Sequence, residues 1–153
     1  MPRVSVLLPF RNAAPTLDAA IASIAAQSFT DWELLLIANA STDESLVIAQ
    51  RRAMQDERIR VITEPAIGIA HALNTGLYHA WGRYIARMDA DDISHPERLA
   101  EQVAYLDAHP EVGVLGTRTR FATTVEKSSG MRWFVQWQNA ILSPHEHYVK
   151  RFV

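Results

Sequence analysis

The chain has 153 residues, of which 48% are hydrophobic and 21% charged, which is ordinary globular usage for one domain and excludes disordered, collagenous and low-complexity classes. A net charge of -2 gives no global attraction to nucleic acid or to anionic membrane. The absence of cysteine excludes disulfide frameworks, thiolate zinc sites and cysteine nucleophiles, and the only lysines, Lys127 and Lys150, leave no lysine chemistry to the preceding residues.

Short apolar runs alternate with helical patterns. Val4–Leu8 reads as a strand stopped by Pro9. It is too short for a signal peptide, and no run approaches the roughly 20 apolar residues of a membrane span, so a soluble, cytoplasmic chain is expected, with peripheral membrane association through a partner allowed. Pro15 suits a first helical turn, and Leu17, Ala20, Ile21, Ile24 and Ala25 then form one apolar stripe. Trp32 to Ala38 contains Leu34–Ile37, a continuous run of the kind that is covered on both faces in a parallel sheet. Ser41 and Glu44 have capping-box spacing ahead of a helix to about Met54.

Ile59–Ile62 is a third strand. Gly68 opens a helix with Ile69, Ala72, Leu73, Gly76, Leu77 and Ala80 on one face. Tyr84–Met88 is a fourth strand, followed by Asp89, Asp91 and Asp92, and then by a second capping box, Ser94 and Glu97, before a helix to about His109. Val112–Leu115 and residues 118–124 read as a fifth and a sixth strand. Residues 123–130 read as a loop, residues 131–138 fit helix or strand, and 144–152 reads as the start of a helix.

Four strand–helix alternations argue an α/β domain: three layers, with a mostly parallel central sheet and helices on both faces. Right-handed crossovers bring the carboxyl ends of the strands to one edge, where open α/β sheets bind ligands. The dinucleotide, P-loop and nucleophile-elbow signatures are absent. His145 and His147 lack zinc-protease spacing, and His71 is expected on a solvent face. Trp133 and Trp137 share a face in either a helix or a strand, with core packing the favoured role over a sugar platform.

Three carboxylates within four residues repel one another, so at least one pKa should rise unless something compensates. A hard divalent cation, Mg²⁺ or Mn²⁺, is the usual compensation, with substrate phosphate oxygens completing its shell. The alternative is a solvated loop with capping duties. Asn39–Asp43 shares the edge, where an amide could meet a nucleobase or simply form a turn. At Pro9–Asn12, Phe10 could stack on a base and Arg11 could meet phosphate, or the segment is a plain turn.

With these residues in view the sequence resembles glycosyltransferase family 2, enzymes of the nucleotide-sugar-dependent GT-A fold. The resemblance rests on Val4–Pro9 with Asn12, on Ser28–Leu34, on Gly68–Leu77, and above all on Tyr84–Leu99, YIARMDADDISHPERL. It implies that Asp89, Asp91 and Asp92 match the family's D-x-D-type motif for metal and nucleotide diphosphate, with Asp91 and Asp92 the leading contacts to ribose and metal. Pro9, Phe10 and Asn12 match the base-binding first loop. Asn39 stands where the family usually has the second of two aspartates that read the base, and Ile37–Ser41 replaces the usual aspartate pair followed by glycine. Leu73 occupies a nucleotide-side position where many members have arginine, and Arg11 replaces a common tyrosine.

The implied reaction is transfer of a sugar from a nucleotide donor, a UDP-sugar in the first instance, to a hydroxyl of a glycan or lipid-linked acceptor, with inversion, in bacterial polysaccharide or envelope synthesis. In the family the general base comes from far beyond the metal motif, so the resemblance implies that residues 1–153 are one truncated domain: a nucleotide-sugar and metal-binding core at 1–121 and the start of an acceptor-side region at 122–153. A donor-binding chain without turnover is the rival, and a homodimer is expected where a missing half would leave apolar surface bare. A haloacid-dehalogenase phosphatase is disfavoured, because its Asp-x-Asp ends the first strand and not the fourth. A purely structural interaction domain would bind no metal-dependent ligand.

Overall fold

The computed structural model describes residues 1–121 and 129–143. It divides into two units, Met1–Pro110 and Glu111–Val153. In chain order the first unit contains β1 (Val4–Phe10), α1 (Ala14–Ala25), β2 (Trp32–Asn39), α2 (Ser45–Gln55), β3 (Ile59–Glu64), α3 (Ile69–His79), β4 (Tyr84–Arg87) and α4 (Arg98–Ala108). The four strands form one parallel sheet in the order β3-β2-β1-β4.

The sheet is organised around β2. Leu34, Leu35, Leu36 and Ile37 are wholly buried, because alternate residues of a strand enter opposite faces and both faces of β2 are covered. On one face Val4, Val6, Leu8 and Phe10 of β1 pack with Leu17, Ile21 and Ile24 of α1, Ala49 of α2, and Leu99 and Val103 of α4. On the other, Leu7, Leu35 and Ile37 pack against Ala72 of α3. The order of strands explains this division. The chain steps from β1 to β2 to β3 in one direction, then returns across the sheet to β4. With the same right-handed crossover throughout, that reversal moves α3 to the opposite face.

Pro9 does not end the first strand. Tyr84 and Met88 donate their N–H groups to the carbonyls of Arg3 and Leu7, so the odd-numbered residues of β1 turn their backbone groups toward β4. Pairing with β4 ends at Leu7. The N–H that Pro9 lacks would have pointed to that vacated side, while Pro9 and Phe10 stay in register with Ile37 and Ala38 of β2.

Neither capping box forms: a nearer residue takes over at α2 and a distant one at α4. α2 begins at Ser45, and Asp43 accepts hydrogen bonds from the Ser45 N–H (3.0 Å) and hydroxyl (2.5 Å). α4 begins only at Arg98. Its Leu99 N–H donates to Oε1 of Gln27 (2.9 Å), while Gln27 Nε2 donates to Ser94 Oγ and the His95 carbonyl. A buried side chain from the end of α1 thus performs the capping that Ser94 and Glu97 were expected to perform locally. α3 buries Ala72 and Gly76, but Ile69 and Leu77 of the expected face are half exposed, as are Trp81 and Ile85.

In the second unit residues 111–121 form no strand, and Val114 is 91% exposed. The expected fifth strand and the described part of the sixth are therefore absent, since strand composition in so short a run does not by itself form a strand. Residues 129–139 form α5 (Ser129–Asn139), which resolves the ambiguous segment as helix. Trp133 and Trp137 stack on it with ring centroids 6.4 Å apart, and Trp133 is exposed and not a core residue. The rest of the expected loop and the helix at 144–152 lie outside the described residues.

Gly82 shows how tightly the α3–β4 connection passes the sheet. A Cβ there would lie 2.4 Å from the Ser5 nitrogen and 2.7 Å from the Val4 carbonyl carbon. Both are backbone atoms and cannot step aside, so Gly82→Ala is expected to cost about 3 kcal/mol or more, read as a lower urea midpoint at unchanged slope.

Candidate functional site

Because all four strands are parallel, the segments after them share one edge. The chain turns back between β3 and β4, so the carboxyl ends of β1 and β4 flank the point where crossovers diverge, the usual ligand crevice of an open α/β sheet. A cavity of about 200 Å³ opens on the same edge, at the ends of β1 and β2 beside the start of α3 and not between β1 and β4. Pro9, Phe10 and Asn39 line it from the strand ends, Arg11 from the following loop, and Ile67, Gly68, Ile69 and Ala72 from the start of α3.

The loops after β1 and β2 are clamped to one another. The Asn12 N–H donates to Ser41 Oγ (3.2 Å), and the Thr42 N–H donates to Asn12 Oδ1 (2.8 Å). The Ala13 N–H donates to Ser45 Oγ (2.8 Å), and the Ala14 N–H to Asp43 Oδ2 (3.0 Å). Asn12 and Ala40 both sit at φ 52°. Asparagine tolerates that region, while an alanine there carries strain of roughly 1 kcal/mol.

The acidic segment lies just past β4. Arg87 directs its guanidinium at Asp89, with Nη2 2.9 Å from Oδ1 and Nε 3.2 Å from it. Asp91 and Asp92 are exposed, and the Asp92 N–H closes a turn on the Asp89 carbonyl. The carboxyl of Asp92 is raised by desolvation and by the negative charges of Asp91 and Asp89, partly offset by Arg98 and Arg87. Burial is the larger cause, and the crowding of carboxylates expected from the sequence is the second. Arg98 spans the base of the turn, donating Nη2 to the Arg87 carbonyl and Nε to Gln102.

The donor set is all oxygen, which suits a hard divalent cation. Among the described residues, however, no three acidic or imidazole side chains converge on one point, and Asp89 is engaged by Arg87. The protein can offer one or two carboxylates, so most of a metal's shell would have to come from ligand oxygens and water.

The residues proposed from the sequence divide three ways. Pro9, Phe10 and Asn39 line the cavity, although the Phe10 side chain is 2% exposed and belongs to the core, so it presents no open stacking face. Asn12 spends its side chain on the loop clamp. Leu73 packs beside Leu7, Leu35 and Ile37 and takes no part in the cavity. Arg11, expected near phosphate, is exposed at the cavity. The α3 wall, Ile67 to Ala72, was missed; its one sequence signal was Gly68, whose φ of 139° favours glycine.

The family model for glycosyl transferase family 2 matches residues 5–150. The chain belongs to this family. It is 45% identical over 118 residues to EpsE of Bacillus subtilis (strain 168), which is named as a glycosyltransferase; the match covers 76% of this chain and 42% of EpsE. It is 38% identical over 104 residues to the Escherichia coli UDP-Glc:alpha-D-GlcNAc-diphosphoundecaprenol beta-1,3-glucosyltransferase WfgD, covering 67% of this chain and 40% of WfgD. The chain therefore spans about two fifths of these family 2 relatives.

Among solved structures, the mannosyltransferase PcManGT of Pyrobaculum calidifontis, in complex with GDP-Man and Mn2+, superposes with a TM-score of 0.68 at 34% identity, covering 73% of this chain and 34% of that one. TarS residues 1–349 of S. aureus, in complex with UDP, give a TM-score of 0.66 at 22% identity, covering 78% and 40%, which is a likeness of fold. The three-layer α/β reading and the GT-A fold are thus established for this family member. No helix among the described residues is long and apolar enough to cross a membrane.

Two outcomes follow from the loop geometry. Ala40→Gly is expected to raise stability by roughly 0.5–1 kcal/mol, seen as a higher denaturation midpoint, because it relieves a positive φ. The Asp43 carboxyl is held below its usual range, first by the Ser45 hydroxyl and then by the Ala14 N–H. A lowered folded pKa stabilises above the unfolded carboxylate range and loses that contribution as pH falls through the folded value. Asp43→Asn should therefore be less stable than the unaltered chain near neutral pH, and denaturation curves of the two should converge well below about pH 4.

Proposed function

We propose that this chain binds the nucleoside-diphosphate sugar donor of a family 2 glycosyltransferase, in the first instance a UDP-sugar, for transfer to a hydroxyl of a glycan or lipid-linked acceptor in bacterial polysaccharide or envelope synthesis. The observation that carries the reading is the cavity at the carboxyl ends of β1 and β2 with the acidic turn following β4 on the same edge. The complex of the 34% identical PcManGT with GDP-Man and Mn2+ supports it, as does the activity in the name of WfgD.

In this reading the nucleoside enters the cavity between Pro9, Asn39 and the α3 wall. Arg11 is an exposed residue of the cavity lining, and its guanidinium would stack on a base or meet a phosphate. Asp91 and Asp92 face the ribose and the metal, with Asp89 the third candidate ligand. A bound Mn²⁺ or Mg²⁺ would neutralise charge on the departing diphosphate. The clamp between the first two loops holds the nucleoside end rigid before the donor arrives, so little ordering remains to be done on binding. Inversion at the sugar carbon belongs to the proposal, and no general base is assigned among the described residues. Homodimer formation or membrane-side docking is included on the strength of the exposed Leu77, Trp81 and Ile85.

A thermal melt with UDP and Mn²⁺ together, against each alone and against GDP, tests the reading. At a hundredfold excess over Kd a ligand adds about 2.7 kcal/mol, a rise of roughly 5–10 °C for a chain of this size. The rise should need both components and vanish in Asp92→Asn. No rise with any nucleotide would refute donor binding, and donor turnover with added acceptors would refute the narrower reading of binding alone.

A further inference from the structure

Asn39 ends β2 with 5% of its surface exposed, and its carboxamide is committed. Nδ2 donates to the carbonyls of Glu64 (3.2 Å) and Ala66 (2.7 Å), and Oδ1 accepts the Gly68 N–H (2.9 Å). A carboxamide has two N–H donors and two oxygen lone pairs, so only one lone pair of Oδ1 is left for anything else. The orientation is also fixed. Exchanging oxygen and nitrogen would set an oxygen against two carbonyls and an NH₂ against an N–H.

The segment held this way supplies the cavity wall through Ile67 and Gly68. Glu64 braces the same segment without lining the cavity. Its Oε1 accepts the Ala66 N–H (2.7 Å), and its Oε2 accepts the Thr75 hydroxyl (2.5 Å). Together the two side chains satisfy the carbonyls of Glu64 and Ala66 and the N–H groups of Ala66 and Gly68, leading into a helix whose first residue is Ile69.

We infer that Asn39 is a positioning residue. It shapes the nucleoside cavity by fixing the segment from Glu64 to Gly68, gives no hydrogen-bond donor to the base, and cannot be exchanged for the aspartate that the family resemblance places here. A carboxylate has no proton for the Glu64 and Ala66 carbonyls and would be repelled by both. The cavity's role as a nucleoside site rests on the proposed function; the holding of the segment rests on hydrogen bonds alone.

The test combines amide exchange at Ala66 and Gly68 in the ligand-free chain with UDP titration in the presence of Mn²⁺, on N39D, N39A, E64A and E64Q. In N39D, N39A and E64A exchange should accelerate by about tenfold or more, the effect of losing one or two buried hydrogen bonds. E64Q keeps an acceptor for the Ala66 N–H and should retain most of the protection. UDP should bind about fivefold or more weakly to E64A, although Glu64 does not line the cavity, and more weakly to N39D than to the unaltered chain. Unchanged exchange in N39D, with UDP bound as tightly or more tightly, would overturn the inference, because Asn39 would then be reading the base. Should the Asn39 variants fail to fold, normal UDP affinity in E64A would overturn it equally. If the unaltered chain binds no nucleotide, the donor reading fails, and the exchange data decide the positioning role by themselves.

Discussion

A single carboxylate in the middle of the sheet sets much of the rest. Glu33 occupies β2 between apolar neighbours and is almost wholly buried. It is tolerated because every direction it faces is answered. The Ser5 hydroxyl of β1 donates to it at 2.6 Å, Arg60 of β3 meets it at 2.9 Å, and the Trp81 N–H donates at 2.7 Å. Ser5 in turn accepts the Gly82 N–H, and Arg60 stacks over the Trp81 ring 3.9 Å away. Three strands and the α3–β4 connection are tied to one charge. Leaving such a charge unpaired costs about 3–5 kcal/mol, so competing registers of the sheet are penalised. The close pass of Gly82 over Ser5 is part of the same arrangement.

At the other end of the sheet the same logic holds in the loops. Asn12, Ser41, Asp43 and Ser45 join the first two loops, and Asn39 with Glu64 holds the third. These loops carry few apolar contacts, so polar bonds across 25 to 32 positions of sequence do the ordering. The acidic turn is arranged differently. Its charges are met by Arg87 and Arg98 and by water, and Asp91 and Asp92 stay exposed. The cross-linked part of the edge borders the cavity; the part left to solvent is the acidic turn, where under the proposed function a cation and phosphate oxygens would take over the charge.

Much of the fold was legible because burial periodicity is local. The Leu34–Ile37 run suited a doubly covered strand, and four of the five residues of the α1 stripe, Leu17, Ala20, Ile21 and Ile24, are buried, with Ala25 at the helix end exposed. The failures have a common cause. Pro9 read as a stop because a missing N–H matters only on the side where a partner strand continues, and β4 ends first. Ser94 and Glu97 had capping spacing, but Gln27 reached the start of α4 from the end of α1, while Ser41 was drawn into the contact with Asn12 and left α2 to Asp43. Val112–Leu115 had strand composition but forms no strand.

The site divides along the same line. By itself the sequence determined the family, the parallel α/β order and the placing of three carboxylates directly after a strand, since each is a property of neighbours in the chain. Only the tertiary structure decided that Phe10 turns into the core, that Leu73 of α3 packs onto the sheet beside Leu7, Leu35 and Ile37, that Asp89 faces Arg87, and that the Asn39 amide is engaged by the segment after β3. Those outcomes depend on which groups pack against or arrive within about 3 Å of a side chain, and for Phe10, Leu73 and Asn39 the folded sheet brings those groups from distant parts of the chain.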